Sequence, residues 1–150
     1  MAHSYTQLIY HIVFSTKDRQ PWLTEPVISR VHPYLGGAIR EQGGIALAVG
    51  GVADHVHLLA RLRQDKALSA VIGAIKATTS GWIHRNFADL AIFEWQEGYA
   101  AFTVSKSLCD AVRKYIERQE QHRRRQLFKQ ELVALLEKHG VEYDPRYLWT

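Results

Sequence analysis

Residues 45–62 read IALAVGGVADHVHLLARL. Two apolar runs, 45–52 and 55–62, are parted by Ala53-Asp54 alone, and so short a break predicts a β-hairpin. On a strand, alternate side chains share a face and stand about 6.6 Å apart. His55 and His57 therefore point one way, while Val56 and Leu58 point into the opposite layer. Two imidazoles so placed can converge on one ion at bond lengths of about 2 Å. They can equally be two hydrogen-bonded structural histidines, and the spacing alone leaves both readings open.

The flanking segments set this hairpin in a fold. SYTQLIYHIVFSTK, residues 4–17, is rich in β-branched and aromatic residues and has apolar side chains in both registers, which predicts a long strand buried on both faces. Residues 24–42 predict a helix, with Thr24 as N-cap, Glu25 and Pro26 in the first turn, Pro33 as a possible kink, and Gly43-Gly44 as the stop. A second helix is expected from Leu68 to about Phe87, capped by Ser69 or a neighbour. IFEWQ and then YAAFTVS, ending at Ser105 and interrupted at Glu97-Gly98, read as the last strand. The order β-α-β-β-α-β is the split βαβ, ferredoxin-like arrangement of the α+β class. Right-handed crossovers place strands one and three at the centre of one antiparallel sheet, with the two histidines on a central strand.

Helices follow. SLCD, residues 107–110, matches the Ser-x-x-acid helix start, and a helix is expected over about 107–121. An amphipathic helix over 127–139 stops at Gly140, and VEYDPRYLWT reads as a tail laid on a surface. The whole chain, 1–150, is thus expected to be one domain with a core of about 4–105, the helix of 107–121, and a C-terminal helix and tail of about 126–150.

A length of 150 residues suits a single domain. One cysteine, Cys109, excludes an internal disulfide and any multi-cysteine zinc site, and points to a reducing compartment. The N-terminus lacks a signal-peptide pattern, and no apolar run approaches the ~20 residues of a membrane span, so a soluble protein is expected. The net charge of +4 is compatible with nucleic acid. Its distribution is more telling: Arg113, Lys114, Arg118, Arg123, Arg124 and Arg125 crowd one stretch, and Lys17 and Arg19 follow the first strand.

The helix after Ser107 carries Leu108, Val112, Tyr115, Ile116 and Gln119 on one stripe, which turns polar at Gln119 and continues to His122 and Gln126. Tyr115 and Gln119, four residues apart, are expected to lie on one face about 6 Å apart along the axis.

Five pieces in fixed order, YHIVFSTKDRQPWL at 10–23, DHVHLL at 54–59, KATTSGWI at 76–83, WQEGYAAFTVS at 95–105 and YIERQEQH at 115–122, resemble the single-tyrosine HUH transposases of the insertion-sequence-two-hundred group and their REP-associated relatives. The resemblance runs through nearly the whole chain and carries the same ferredoxin-like fold. It implies that Tyr115 is the nucleophile, that His55 and His57 bind a metal, and that Gln119 is the third ligand. It also implies Mg²⁺ or Mn²⁺ as cofactor and a cut-and-rejoin reaction on single-stranded DNA through a 5′-phosphotyrosine intermediate.

An ester intermediate stores the bond energy, so no nucleotide cofactor is needed, in keeping with the lack of a Walker-type glycine loop. Two imidazoles and an amide are neutral donors and would leave a dication its full charge for a phosphate. The expected partners are the hairpin ends of a mobile element and a second copy of the chain, since one tyrosine cuts one strand. The expected place is the prokaryotic cytoplasm, at the nucleoid.

Lys17, Arg19, Lys76, Lys114, Arg118, Arg123, Arg124 and Arg125 are the candidate phosphate contacts. Two departures from the family pattern stand out: His122 is followed by Arg123 rather than a second histidine, and no glycine lies between Val104 and Leu108. The alternatives are a host-serving REP-associated relative with the same chemistry and a non-catalytic nucleic-acid-binding module.

Overall fold

The computed structural model describes residues 3–119 and 127–148. Its strands are β1 (Ile9–Ser15), β2 (Ile45–Val52), β3 (His55–Arg61) and β4 (Ala100–Thr103). Its helices are α1 (Val27–Glu41), α2 (Leu68–Asn86), α3 (Cys109–Glu117) and α4 (Phe128–Lys138). The strands form one sheet in the order β2-β3-β1-β4, with antiparallel neighbours throughout. This is the expected ferredoxin-like α+β arrangement, with β1 and β3 at the centre.

Strand alternation sorts the residues into two layers. Ile12, Phe14, Val56, Leu58 and Ala60 face α1 and α2, where they meet Val31, Leu35, Ile39, Val71, Ile72 and Ile75. The opposite face is covered in two patches. Ile9 and Leu59 pack with Ile116 and Cys109 of α3, and Val13 and Phe102 pack with Phe128, Leu132 and Leu136 of α4. Leu148 of the tail is buried in the second patch, which ties the C-terminus to the sheet. His55 and His57 belong to this second face, beneath α3 and α4.

Gly50 on β2 sets how closely α3 can lie. A Cβ at this position would stand 2.3 Å from the Ile116 carbonyl oxygen, so only a glycine permits the approach. That contact lies next to Tyr115 and fixes its height above the sheet.

Several expectations need correction. The first strand is shorter than 4–17, because residues 3–8 carry no regular structure and Thr16 leaves β1 to bridge Trp95. Helix α1 begins at Val27, after a turn in which the Thr24 carbonyl accepts from the Ile28 N–H, and Thr24 provides no side-chain cap. Pro33 lies inside that helix. Ser69 does not cap α2, whose N-cap is Ala67.

The IFEWQ segment is not strand. Phe93 and Trp95 turn inward, with Trp95 edge-on to Phe14 at 4.8 Å, so the alternating pattern reports a core plug. Ser107 does not cap α3: residues 106–108 form a 3-10 turn, and Leu108 is the N-cap. The same helix ends at Glu117 instead of running to 121, with the Arg118 N–H bonded to the Lys114 and Tyr115 carbonyls. Among the described residues, no helix is long and apolar enough to cross a membrane.

Candidate active site

His55 and His57 are held from behind, each by its Nδ1. Asp54, in the β2–β3 turn, places Oδ1 2.8 Å from His55 Nδ1. A carboxylate there accepts a hydrogen bond from Nδ1–H and turns Nε2 toward the site, the orientation that metal-binding imidazoles use. On β1, His11 Nε2 lies 2.8 Å from His57 Nδ1, with the two rings stacked at 5.0 Å. Burial first, and then repulsion from His57, lower the His11 pKa to about 3, so this ring is neutral and can share one proton with its neighbour.

The two Nε2 atoms converge on Glu131 of α4. Oε1 of that carboxylate lies 3.0 Å from His57 Nε2 and 3.3 Å from His55 Nε2. Gln119 joins them, with Oε1 3.2 Å from His55 Nε2. The Tyr115 hydroxyl donates to Glu131 Oε2 at 2.6 Å. Phe128, three residues before Glu131, stacks on the His55 ring at 4.2 Å and closes the site from above.

Burial makes the electrostatics strong. His55, His57, Gln119 and Glu131 are all buried, at 2%, 0%, 2% and 4% exposure. Burial opposes the charge on Glu131, yet hydrogen bonds from His55, His57 and Tyr115 hold its carboxyl well below the usual range. Burial likewise opposes protonation of His55, but its bonds to Asp54 and Glu131 prevail and raise its pKa. The Tyr115 phenol is pushed up, by burial first and then by the Glu131 charge, while Gln119 pulls the other way.

The donor set fits a divalent cation. One ligand atom from each of His55, His57 and Glu131 lies within 4.8 Å of the others, and the Gln119 carbonyl faces the same space. Imidazole, amide and carboxylate together suit Mn²⁺ or Zn²⁺, and Mg²⁺ through the oxygens.

Tyr115, His55, His57 and Gln119 therefore meet in space, although Gln119 lies beyond the end of α3. The basic candidates are dispersed. Lys114 and Arg118 are exposed beside Tyr115. Lys17 pairs with Glu94 at 3.0 Å, and Arg19 is half-buried near it in sequence. Lys76 donates to the carbonyls of Gln96 and Gly98 at 2.7 and 2.8 Å, so its ammonium braces that loop. His122, Arg123, Arg124 and Arg125 lie outside the described residues.

Sequence reasoning missed Glu131, Asp54 and His11. Glu131 had a signal, a lone acid on the apolar stripe formed with Phe128, Leu132 and Leu136. Asp54 adjoins the histidine pair in sequence, and His11 sits in the apolar run that becomes the neighbouring central strand.

A family model described as "Transposase IS200 like" matches residues 4–119. The transposase for insertion sequence element IS200 of Salmonella typhimurium is 27% identical over 124 residues, covering 79% of this chain and 81% of that protein. The ISDra2 transposase TnpA of Deinococcus radiodurans is 25% identical over 118 residues, covering 75% of this chain and 84% of the relative.

Among solved structures, a candidate transposase of Deinococcus radiodurans superposes with a TM-score of 0.65 at 24% identity, covering 79% of this chain and 96% of the other. A REP-associated tyrosine transposase bound to a REP hairpin superposes with a TM-score of 0.56 at 14% identity, covering 77% and 68%. These two likenesses concern the fold.

Proposed function

The chain belongs to the family of IS200-like transposases, and on that premise we propose that it cuts and rejoins single-stranded DNA with Tyr115 as nucleophile. The observation that carries this reading is the convergence of the Tyr115 hydroxyl and both histidine Nε2 atoms on one carboxylate, at 2.6, 3.0 and 3.3 Å. A phenol beside two imidazole Nε2 atoms and a carboxylate in a buried pocket suits phosphoryl transfer better than packing.

In the reaction, the Tyr115 oxygen attacks a DNA phosphorus and forms a phosphotyrosine ester. The bond from phosphorus to the 3′-oxygen breaks, and that oxygen leaves as a 3′-hydroxyl. A later attack by a 3′-hydroxyl reverses the sequence and joins the strand without ATP. His55 Nε2, His57 Nε2, Gln119 Oε1 and Glu131 Oε1 are the atoms that would hold a divalent ion, Mg²⁺ or Mn²⁺. When bound, such an ion polarises phosphate oxygens and offsets charge developing there. Asp54 and His11 orient the two rings, and Glu131 Oε2 holds the phenol proton.

The phenol is held protonated in this closed arrangement, with Phe128 over the site. Admitting a phosphate therefore requires α4 to yield, so the C-terminal helix belongs to the same functional unit as the core, a single domain over 1–150. The substrate is DNA with hairpin ends, worked on in the cytoplasm at the nucleoid, and two ends take two copies of the chain because each supplies one Tyr115. Lys17, Arg19, Lys114, Arg118 and the Arg123–Arg125 run supply phosphate contacts. Lys76 supports DNA through the loop that it braces.

The test is incubation with a single-stranded hairpin library and Mn²⁺, followed by denaturing electrophoresis and sequencing of protein-linked DNA. A covalent adduct should form, should need the ion, and should vanish in Tyr115→Phe. An adduct that persists in Tyr115→Phe would refute the assignment.

A further inference from the structure

Tyr115 also borders a groove that the reaction above does not use. It runs between α3 and α4 over the end of β4, and its volume is about 330 Å³. That lies at the lower end of the range of about 300–1,000 Å³ typical of small-ligand pockets. Such a space suits one ring system better than a length of strand.

The lining selects the occupant. Val104, Leu108, Ala111, Val112 and Leu135 give apolar walls from the strand and both helices. Leu108 is 57% exposed, a large apolar side chain that a ligand would withdraw from water. Among the described residues no carboxylate lines the groove, whereas Lys138 and His139 both do. Their charges reach His11 on β1, whose pKa is lowered first by burial and then by His57, and further by these two. The cleft between α1 and β2 is the opposite case, since Glu25 and Glu117 line it and repel a phosphate.

His139 is exposed yet held in place. Its ring stacks on Phe102 at 4.3 Å, and its Nδ1–H donates to the Leu135 carbonyl at 2.8 Å. That bond leaves Nε2 as an acceptor, on a ring that loses little freedom when a ligand bonds it. A flat ring with hydrogen-bonding edges, tied to an anion, meets all of these conditions. Single-stranded DNA presents such a unit at every nucleotide.

Building on the reading that Tyr115 attacks a DNA phosphate, we propose that this groove holds the base of one unpaired nucleotide next to that phosphate, with His139 at the base edge and Lys138 on a neighbouring phosphate. The apolar walls of α3 and α4 then grip the base, and the same two helices that meet at Tyr115 set where the strand lies. His139 is a specificity-determining residue for the base beside the cut.

The test uses the full-length protein with Mg²⁺ and two probes: a short mixed-sequence single-stranded DNA and a sugar–phosphate oligomer of equal length without bases. Ring resonances of His139, assigned by their loss in His139→Gln, should move with the base-bearing probe and by a smaller amount with the abasic one. Ala111→Trp fills the groove from the exposed side of α3. It should weaken binding of the base-bearing probe about tenfold and leave abasic binding unchanged. Lys138→Gln should weaken both probes alike and lower the salt slope by about one.

Silent His139 resonances, equal movement with both probes, or equal loss of both in Ala111→Trp would each overturn the assignment of the base. An unchanged salt slope in Lys138→Gln would overturn the phosphate contact. Adduct formation is scored separately. Base-dependent movement of His139 without any adduct removes the tyrosine chemistry and keeps the groove, whereas an adduct with a silent His139 removes the groove alone.

Discussion

The Tyr115 hydroxyl donates to Glu131 Oε2 at 2.6 Å, joining α3 to α4 across sixteen residues of sequence. Burial and this carboxylate together push the phenol pKa up. Glu131→Gln keeps the shape and removes the charge, so the phenol pKa should fall toward its ordinary value by about one unit or more. Ultraviolet titration of the phenolate, with Tyr115→Phe in the same background as the blank, measures it. An unchanged midpoint would show that the carboxylate does not control the phenol.

Asp54 reaches the site through His55 Nδ1, 2.8 Å from its Oδ1. Asp54→Asn preserves size but can no longer take the Nδ1 proton as a charged acceptor. Mn²⁺ affinity by calorimetry should drop about 10- to 100-fold, the usual effect of losing such a partner, with the far-ultraviolet circular dichroism unchanged. Undiminished affinity would mean that His55 is not a ligand or needs no orienting partner.

Gly50 lets α3 approach β2, and an added methyl group would meet the Ile116 carbonyl oxygen at 2.3 Å. Gly50→Ala should lower stability by about 1–3 kcal/mol in urea unfolding and displace Tyr115, reducing adduct yield in a protein that still folds. Wild-type stability and yield together would contradict the close packing described here.

His32 is held below its ordinary pKa, chiefly by burial. A base whose folded pKa lies below its unfolded value binds fewer protons when folded. Its contribution is present above the unfolded pKa of about 6.5 and is lost as pH falls toward the lowered folded value. Between pH 7 and pH 5, the wild type should therefore lose more stability than His32→Gln, by at most ~1.4 kcal/mol per pH unit for one proton. Urea unfolding at both pH values gives the comparison, and parallel losses would place the His32 ring in water.

Legibility in the sequence followed the range of the interactions involved. The alternation that placed His55 and His57 on one face is local, and so is the two-residue turn that makes the hairpin. Both appear in the structure as read. The order of elements then limited the sheet to a few topologies, and β2-β3-β1-β4 is the one formed. The IFEWQ segment misled because apolar alternation looks the same in a strand and in a loop that buries alternate side chains. Trp95 fills the core without joining the strand ladder beyond one bridge.

The amino-acid sequence by itself determined the ferredoxin-like sheet, the shared face of the histidine pair and, through resemblance, the chemistry expected of Tyr115 and Gln119. Only the tertiary structure decided what stands around them: Asp54 and His11 behind the rings, and Glu131 and Phe128 across them. The physical reason is that strand and helix periods are set by neighbouring residues, whereas a carboxylate 74 residues from His57 in sequence meets it only after α4 has packed on the sheet.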